Sequence, residues 1–522
     1  MPTNALSQPI VQDRTRKAES GVTMPMVAMM MVTLLGIAAF AVDLGWFYLN
    51  ASRIQRAADS GALGGVVWMP ADFAEATVSA NEITRKNGYR DGFDSAVISV
   101  EEVLDQPSQL QVTVTDTVPT FFLKVFGMAT QTIQRTARAE FVPPLPLGSP
   151  DNQFGNGCDP RQAGCTGQPN FWANIHGKYT ATGMGDAFSP YCTGSSGSSG
   201  CSQNPSFRAG GYLYGIEAPT GQQFRVNFMD MHHYNISGGQ TTNDNHRTGD
   251  RGCEDWGTNN ASCGQTVIAT LYRPDPTPLD VSNNVVHCTH TFSPLPQVAA
   301  TAAYTWQVPG TSPGNVPACF RVNSALAGTY VLQIRVAEPS QASYSGLNRY
   351  ALRVVDGAGS ASGRRLYGLG DVSLYNNFSG SSTEFYLAEV SSIYRGKTFV
   401  VELYDPGDAE NNVSNIIQFV GPGGVVFPAC EARIRTTVND NWAPLSTPDN
   451  SSNPTPCQIN ATRPSNNFDS RWLQITIELP STYSCTTNCW WKVRYNFSGT
   501  TNDTTTWRAY ILGNPIHLIP TG

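Results

Sequence analysis

Charged residues are scarce in this sequence. Of 522 residues, 14% are Asp, Glu, Lys or Arg, and the formal net charge is −7. A nucleic-acid-binding protein needs a basic patch to neutralise phosphates, so the negative net charge argues against nucleic acid as a partner. Gly, Pro, Asn, Ser and Thr are plentiful instead. This composition is typical of short strands joined by turns, and the length predicts about two to four domains.

Catalytic motifs are also missing. The sequence contains no G-x-S-x-G, no H-E-x-x-H and no phosphate-binding P-loop. Paired carboxylates for glycoside hydrolysis are defined by their separation in space, so the sequence leaves that reaction open, but no pattern indicates it. We expect a protein that is not an enzyme.

Cysteine does not occur before residue 158, although the chain has 12. An even number confined to the region after an apolar segment predicts disulfides in an oxidising compartment, with sequence neighbours as natural partners. A zinc site at Cys485 and Cys489, or at the His-Cys-Thr-His sequence 287–290, is the alternative, but structural zinc sites usually use two close cysteine pairs. The predicted disulfide cysteines are Cys158, Cys165, Cys192, Cys201, Cys253, Cys263, Cys288, Cys319, Cys430, Cys457, Cys485 and Cys489.

Long apolar runs are absent except at residues 22–42, which carry no charge. As a helix this run is about 31 Å long, enough to cross the hydrocarbon core of a bilayer. Arg14, Arg16 and Lys17 precede it and predict a cytoplasmic tail at 1–21, whereas Arg53 and Arg56 weaken that charge argument. The restriction of the cysteines to the region after this run nevertheless supports a cytoplasmic N-terminus.

The residues that follow the run predict its outer end. We expect Asp43 to reach water at the interface and the aromatic residues 46–48 to lie among the headgroups. The Ala-Phe-Ala sequence at 39–41 also fits a signal-peptidase site, so a cleaved signal peptide is the alternative. Because the apolar run is longer than that of a usual signal peptide, we favour a retained anchor.

The helix is predicted to continue to residue 67, so that about half of it stands outside the bilayer. Small residues fill this part, and Gly61 and Gly65 have the spacing that lets two helix backbones touch. They either engage helices of partner proteins or cover a small domain of the same chain. Residues 68–141 are predicted to form that α+β domain, with a helix, three strands and a short helix at "PTFFLKVFG", before a Pro-rich linker at 142–150.

The stretches "AVDLGWFYLNASRIQRAADSGALGG" and "VPTFFLKVFGMATQTIQRTARAEF" resemble the N-terminal module of TadE/TadG-like Flp pilus-assembly proteins over about residues 20–141. The resemblance implies a bacterial inner-membrane protein of a tight-adherence pilus or secretion system. Two features depart from that family. Met26 stands where processed members carry a glutamate five residues after the cleaved glycine, here Gly21, and the D-x-S-x-S motif of a von Willebrand A domain is missing.

Beyond the linker, two segments repeat one pattern. "GQQFRVNFMD" at 221–230 matches "GKTFVVELYD" at 396–405, and four further matches follow the same order, including "GMGDAF" at 183–188 with "GLGDVS" at 368–373. Alternating apolar residues in each match predict half-buried strands. We therefore predict two β-sandwich units at 151–362 and 363–522, which loosely resemble pre-peptidase C-terminal and jelly-roll domains. The predicted fold is mainly β, with a long N-terminal helix and a small α+β module before two tandem sandwiches.

Acidic residues recur in these matches and could bind structural calcium, whose ligands are oxygen atoms. Aspartate also caps turns, and that is the alternative. The candidate ligands are Asp186, Asp230, Asp371, Asp405 and Asp408.

Two further clusters have a structural and a functional interpretation. His232, His233 and His246 could bind a metal or act as a base, but histidines in a polar loop are more often solvated. The aromatic residues near the C-terminus, among them Trp490 and Trp491, could stack on sugars if exposed, although strand alternation assigns Trp491 to the core.

Together these features predict a single-pass protein of the bacterial cytoplasmic membrane. We expect its partners to be the lipid bilayer and the membrane proteins of a pilus or secretion system, and its sandwiches to serve assembly or adhesion. A membrane-anchored protein that binds surface glycans is the alternative.

Overall fold

A computed structural model describes most of the chain. The described residues are 23–70, 72–104, 106–157, 171–193, 201–235, 265–296, 305–311, 315–337, 346–380, 382–406, 415–446, 450–462, 468–497 and 499–521. They divide into two compact units, the first formed by Met1–Glu140 with Ile516–Gly522 and the second by Phe141–Pro515.

The first unit begins with a single helix, α1, over Thr23–Val66. It is long and apolar enough to cross a membrane, and no residue of its most apolar window is buried within the protein. Burial begins at Asp43 and continues along one face of the second half through Ile54, Ala57 and Ala58. The first half of the helix is therefore apolar and exposed, whereas one face of the second half packs against a small domain.

That domain contains the elements predicted from the sequence. Helix α2 covers Phe73–Lys86, and Asp72 caps it by accepting a hydrogen bond of 3.0 Å from the amide of Glu75. Strands β1 (Val97–Val103), β2 (Gln106–Pro119) and β3 (Thr130–Phe141) form an antiparallel meander. A short 3₁₀ helix, Leu123–Phe126, lies between β2 and β3.

The last strand of the chain, Ile516–Ile519, completes the sheet of this first unit. It lies beside β3 in the order β1-β2-β3 followed by this strand. Within this strand, His517 Nε2 lies 3.4 Å from a carboxylate oxygen of Glu140. The predicted module ended at residue 141, because a strand more than 370 residues later leaves no local signal. The second unit is therefore an insertion between two neighbouring strands of the first.

The second unit is built almost entirely of strands. Its first half contains β4 (Pro146–Leu147), β5 (Gln153–Phe154), β6 (Trp172–His176), β7 (Tyr212–Glu217), β8 (Phe224–Met229), β9 (Tyr234–Asn235), β10 (Val267–Tyr272), β11 (Val286–Phe292), β12 (Leu295–Pro296), β13 (Arg321–Val322), β14 (Tyr330–Val336) and β15 (Leu347–Val355). Its second half contains β16 (Arg365–Leu369), β17 (Asp371–Gly380), β18 (Thr383–Glu389), β19 (Thr398–Tyr404), β20 (Ile416–Val420), β21 (Glu431–Arg435), β22 (Ala443–Pro444), β23 (Gln458–Asn460), β24 (Trp472–Glu478), β25 (Trp490–Asn496) and β26 (Gly499–Ile511). The C-terminal strand Ile516–Ile519 is β27.

Two large sheets enclose one continuous core. One has the order β11-β10-β14-β7-β16-β4-β18-β25-β20-β23, and the other has the order β13-β8-β15-β6-β17-β26-β19-β24-β21-β22 with β5 beside β15. Apolar side chains of both halves, such as Phe228, Leu352, Phe399 and Trp491, belong to the same buried cluster. Alternating apolar residues form the inner face of each sheet. Two sheets that pack their apolar faces around one core form a sandwich, so the predicted sandwich architecture is confirmed.

The two predicted sandwich units contribute strands to the same two sheets. The predicted boundary at 362/363 falls between β15 and β16, and β6 of the first half pairs with β17 of the second across it. Strand alternation predicts which face of a strand is buried, but not which strand lies beside it. The pairing of β6 with β17 could therefore not be predicted from the sequence.

Four disulfides join the described cysteines, and each connects neighbours in the sequence, as predicted. They are Cys192–Cys201, Cys288–Cys319, Cys430–Cys457 and Cys485–Cys489. The cysteines 158, 165, 253 and 263 lie outside the described residues. The pairing of Cys485 with Cys489 removes the zinc site considered for these two residues.

Candidate functional site

Asp43 stands where the apolar part of α1 ends, and its carboxylate is buried. It accepts hydrogen bonds from three consecutive backbone amides, those of Phe121 at 2.8 Å, Phe122 at 2.9 Å and Leu123 at 2.7 Å. These amides open the 3₁₀ helix and have no partner within that helix, so the carboxylate acts as a cap supplied by a distant part of the chain. The expectation that Asp43 reaches water was wrong, because backbone donors surround it.

Aromatic packing reinforces this contact. The rings of Trp46 and Phe121 meet edge to face with centroids 5.4 Å apart. The rest of the segment 121–128, which we call the β2–β3 loop, points apolar side chains outward. Val125 and Phe126 are 78% and 79% exposed, and Phe122 is 46% exposed. The site combines a buried carboxylate with an exposed apolar tip at the end of the apolar helix.

Gly61 and Gly65 permit a close helix contact, but the contact lies inside the chain. A Cβ atom on Gly65 would lie 2.7 Å from the carbonyl oxygen of Ala76 and 3.0 Å from Cβ of Ala80, both on α2. A Cβ on Gly61 would lie 2.6 Å from a methyl group of Thr84. Of the two interpretations of these glycines, the geometry supports the one in which α1 covers its own small domain.

The helical part of this site is similar to a known protein family. Residues 21–69 match the family model for putative Flp pilus-assembly TadE/G-like proteins. The matched segment contains the apolar span, Asp43 and both glycines of the α1–α2 contact. No curated protein matches the chain. The resemblance stated from the sequence is thus confirmed for the N-terminal helix.

Asp186, one of the predicted calcium ligands, is fully engaged by protein donors. Its carboxylate accepts hydrogen bonds from the amides of His176, Phe188 and Ser189 at 3.0–3.1 Å, from the Tyr212 hydroxyl at 2.6 Å, and from the Ser189 hydroxyl. Burial raises the pKa of Asp186. Because five donors occupy the lone pairs of this group, it does not fit a cation ligand.

The other predicted ligands that the structure describes do not form a metal-binding group with Asp186. Asp371 forms an ion pair with Arg208, and Asp405 accepts a hydrogen bond of 2.7 Å from the amide of Ser470. Asp230 is buried at the end of β8, and Asp408 lies outside the described residues. Within the described ranges, no three His, Cys, Asp or Glu side chains are placed to hold a metal ion. Calcium at Asp230, Asp371, Asp405 and Asp408 stays a prediction.

The aromatic cluster near the C-terminus lies in the core. Trp490, Trp491, Trp507 and Tyr495 are each at most 4% exposed, so they do not form a platform for sugars. The assignment of Trp491 to the core is confirmed. Among the histidines, His232 Nδ1 donates a hydrogen bond of 2.8 Å to the carbonyl oxygen of Ser293, and His246 lies outside the described residues.

Sequence reasoning missed the link between Asp43 and the β2–β3 loop. In the sequence, Asp43 ends an apolar run and the loop contains a short predicted helix, and no local pattern connects the two. The sequence did contain a signal. The short helix has no acidic residue in its first turn to stabilise its N-terminal amides, and the acidic residue that ends the apolar helix can serve that purpose. Only the fold brings them within hydrogen-bonding distance.

Proposed function

We propose that this chain is a single-pass component of a Flp or tight-adherence pilus-assembly or secretion system in the bacterial cytoplasmic membrane. The observation that carries the proposal is the TadE/G-like match over residues 21–69, on a helix whose apolar half is unburied. A protein buries such a surface in lipid, because an exposed apolar rod of this length is unstable in water.

The proposed orientation places the N-terminal tail in the cytoplasm and both compact units outside. Four disulfides in the second unit support it, since such bonds form and persist in oxidising compartments. Arg14, Arg16 and Lys17 before the span agree with that orientation.

The proposed role of the β-sandwich is assembly or adhesion, without catalysis. Support comes from its construction as an insertion that enters and leaves the anchored unit through adjacent strands, β3 and β27. Sugar binding gains no support from the described residues, because the aromatic side chains that suggested it are buried.

We also propose that the sandwich consists of two copies of one plan. Strands β6 and β17 lie side by side at the centre of one sheet. On the β6 side the next strands are β15 and β8, and on the β17 side the next strands are β26 and β19, so β15 corresponds to β26 and β8 to β19. The matched residues Asp230 and Asp405, which follow β8 and β19, both adopt positive φ angles of 55° and 56°. The match of Asp186 with Asp371 does not share this equivalence, since Asp186 follows β6 whereas Asp371 begins β17. Replacing Asp230 or Asp405 by alanine should lower the melting temperature by similar amounts, and very different losses would count against the duplication.

Deletion and cross-linking in the native host test the assembly role. A strain lacking the gene should lose surface pili or adhesion, and the wild-type gene should restore them. Photo-cross-linkers at exposed lipid-facing positions of α1, such as Met30, should capture membrane proteins of the pilus system. Normal pili in the deletion strain, with no such cross-link, would remove the proposed function. Melting with and without a chelator tests calcium separately, and an unchanged melting temperature would remove it.

A further inference from the structure

The strand β2 runs back along the second half of α1 toward its apolar first half. Gly65 of α1 faces Leu110 near the start of β2, and Gly61 faces Val112 two residues later. At the other end, Asp43 contacts Phe121, just beyond the end of the strand. The helix and the strand are therefore antiparallel.

The lengths of the two elements agree with this alignment. From Gly65 back to Asp43 the helix descends about 33 Å at 1.5 Å per residue. From Leu110 to Phe121 the strand and its end span about 36 Å at 3.3 Å per residue. The β2–β3 loop thus lies at the level of Asp43, directly after the uncharged residues 22–42.

The loop exposes an unusually apolar surface at that level. Phe122, Val125, Phe126 and Met128 are between 46% and 79% exposed. A folded domain rarely presents such a contiguous apolar patch to water. Lys124 is the one cation in the segment, and its ammonium group can reach lipid phosphates while its stem lies on apolar surface.

We propose that the β2–β3 loop is a second membrane contact, which inserts its phenylalanines into the headgroup region of the same leaflet that α1 enters. Its partner is the lipid surface, because the apolar patch is continuous with the end of the apolar span. The capped 3₁₀ helix is preorganised for this contact, since three hydrogen bonds to Asp43 hold it against α1. The inference rests on the membrane anchoring proposed above.

Single cysteine labels in the full-length, disulfide-bonded chain test the membrane contact of the loop and the membrane anchoring by α1 separately. The protein is placed in nanodiscs of phosphatidylcholine and phosphatidylglycerol, and each variant carries an environment-sensitive dye. Val125→Cys reports on the loop, and Leu34→Cys reports on the span. Leu104→Cys is the matched control, because Leu104 is also highly exposed and stands in the turn at the opposite end of β2, about 45 Å away.

Lipids that carry a nitroxide near the headgroup should quench the dye at position 125, and its emission should lie to the blue of the dye at 104. A nitroxide deep in the acyl chains should quench the dye at 34. If position 34 is quenched but position 125 behaves like 104, the loop inference is overturned and the anchor stands. If position 125 is shifted to the blue but is insensitive to both nitroxides, a protein covers the loop and the lipid proposal is wrong. If position 34 is not quenched, the membrane anchor itself fails. Phe126→Cys repeats the loop measurement and should agree with position 125.

Discussion

The carboxylate of Asp43 and the amide of Leu123, 80 residues apart in the chain, are joined by a hydrogen bond of 2.7 Å. This bond connects the end of the apolar helix to the loop between two strands of the small domain. An apolar helix that only tethered a domain would need no such connection. The contact makes the apolar helix and the small domain one structural unit at the point where the uncharged run of the helix ends.

Replacing Asp43 by asparagine should loosen the β2–β3 loop. The amide keeps the size of the side chain, but its NH₂ group cannot accept a hydrogen bond from a backbone amide. We expect faster hydrogen exchange at Phe121, Phe122 and Leu123 and a lower melting temperature in detergent. Asp59→Asn is the matched control, because Asp59 lies on the same helix and accepts only a side-chain hydrogen bond from Gln55 among those the structure shows. Equal exchange rates in the two variants would contradict the capping role.

Replacing Gly65 by alanine should destabilise the small domain. The added methyl group would lie 2.7 Å from a backbone oxygen of α2, so the helices must separate, at a cost of about 1–3 kcal/mol. Gly45→Ala is the control in the same helix, because nothing lies within 4 Å of its added Cβ. Alanine is the better helix former, so that control should be neutral or slightly stabilising. Chemical unfolding of the full chain in detergent measures both, and a neutral Gly65→Ala variant would show that α1 and α2 do not touch at this point.

Ending the chain after Pro515 should destabilise the sheet of the first unit, although the cut lies far in sequence from β1, β2 and β3. The deletion removes β27 and leaves the edge of β3 without its neighbour. We expect proteolysis within residues 97–141 to become faster. A chain that ends after Ile519 retains the strand and serves as the control. If both truncations resist protease equally, β27 is dispensable for that sheet.

Acid should destabilise the sandwich as the pH falls below about 6.5, the ordinary pKa of histidine. Burial holds the pKa of His176 well below its usual 6.5, with the nearby Arg349 guanidinium acting in the same direction. Burial also lowers the pKa values of His232, His287 and His290. The unfolded imidazoles take up protons in this range and the folded ones do not, so the stability present above pH 6.5 is lost as the pH falls.

Thermal melts of the wild type and of His176→Gln across this range isolate the contribution of the buried histidine. On acidification, the melting temperature of the variant should fall by less than that of the wild type. Parallel pH profiles for the two proteins would show that His176 takes up a proton as readily in the folded state as in the unfolded state.

Local pattern was enough to predict the elements of the fold. The apolar run, the small residues around Gly61 and the alternation in "QLQVTVTDTV" each lie within one element, where periodicity reports burial directly. The pairings of β27 with β3 and of β6 with β17 were not predicted, because a strand does not encode the identity of its neighbour. The same limit hid the site, since Asp43 and Leu123 come together only when β2 folds back along α1.

The central claim is that α1 remains in the membrane while the units that follow it fold outside. Fractionation of cells expressing the native protein, with alkaline extraction and N-terminal sequencing of the mature chain, tests this claim most directly. We predict that the protein stays in the membrane pellet with residues 22–42 intact and its cysteines oxidised. A soluble protein that begins at Val42 and contains reduced thiols would contradict the account.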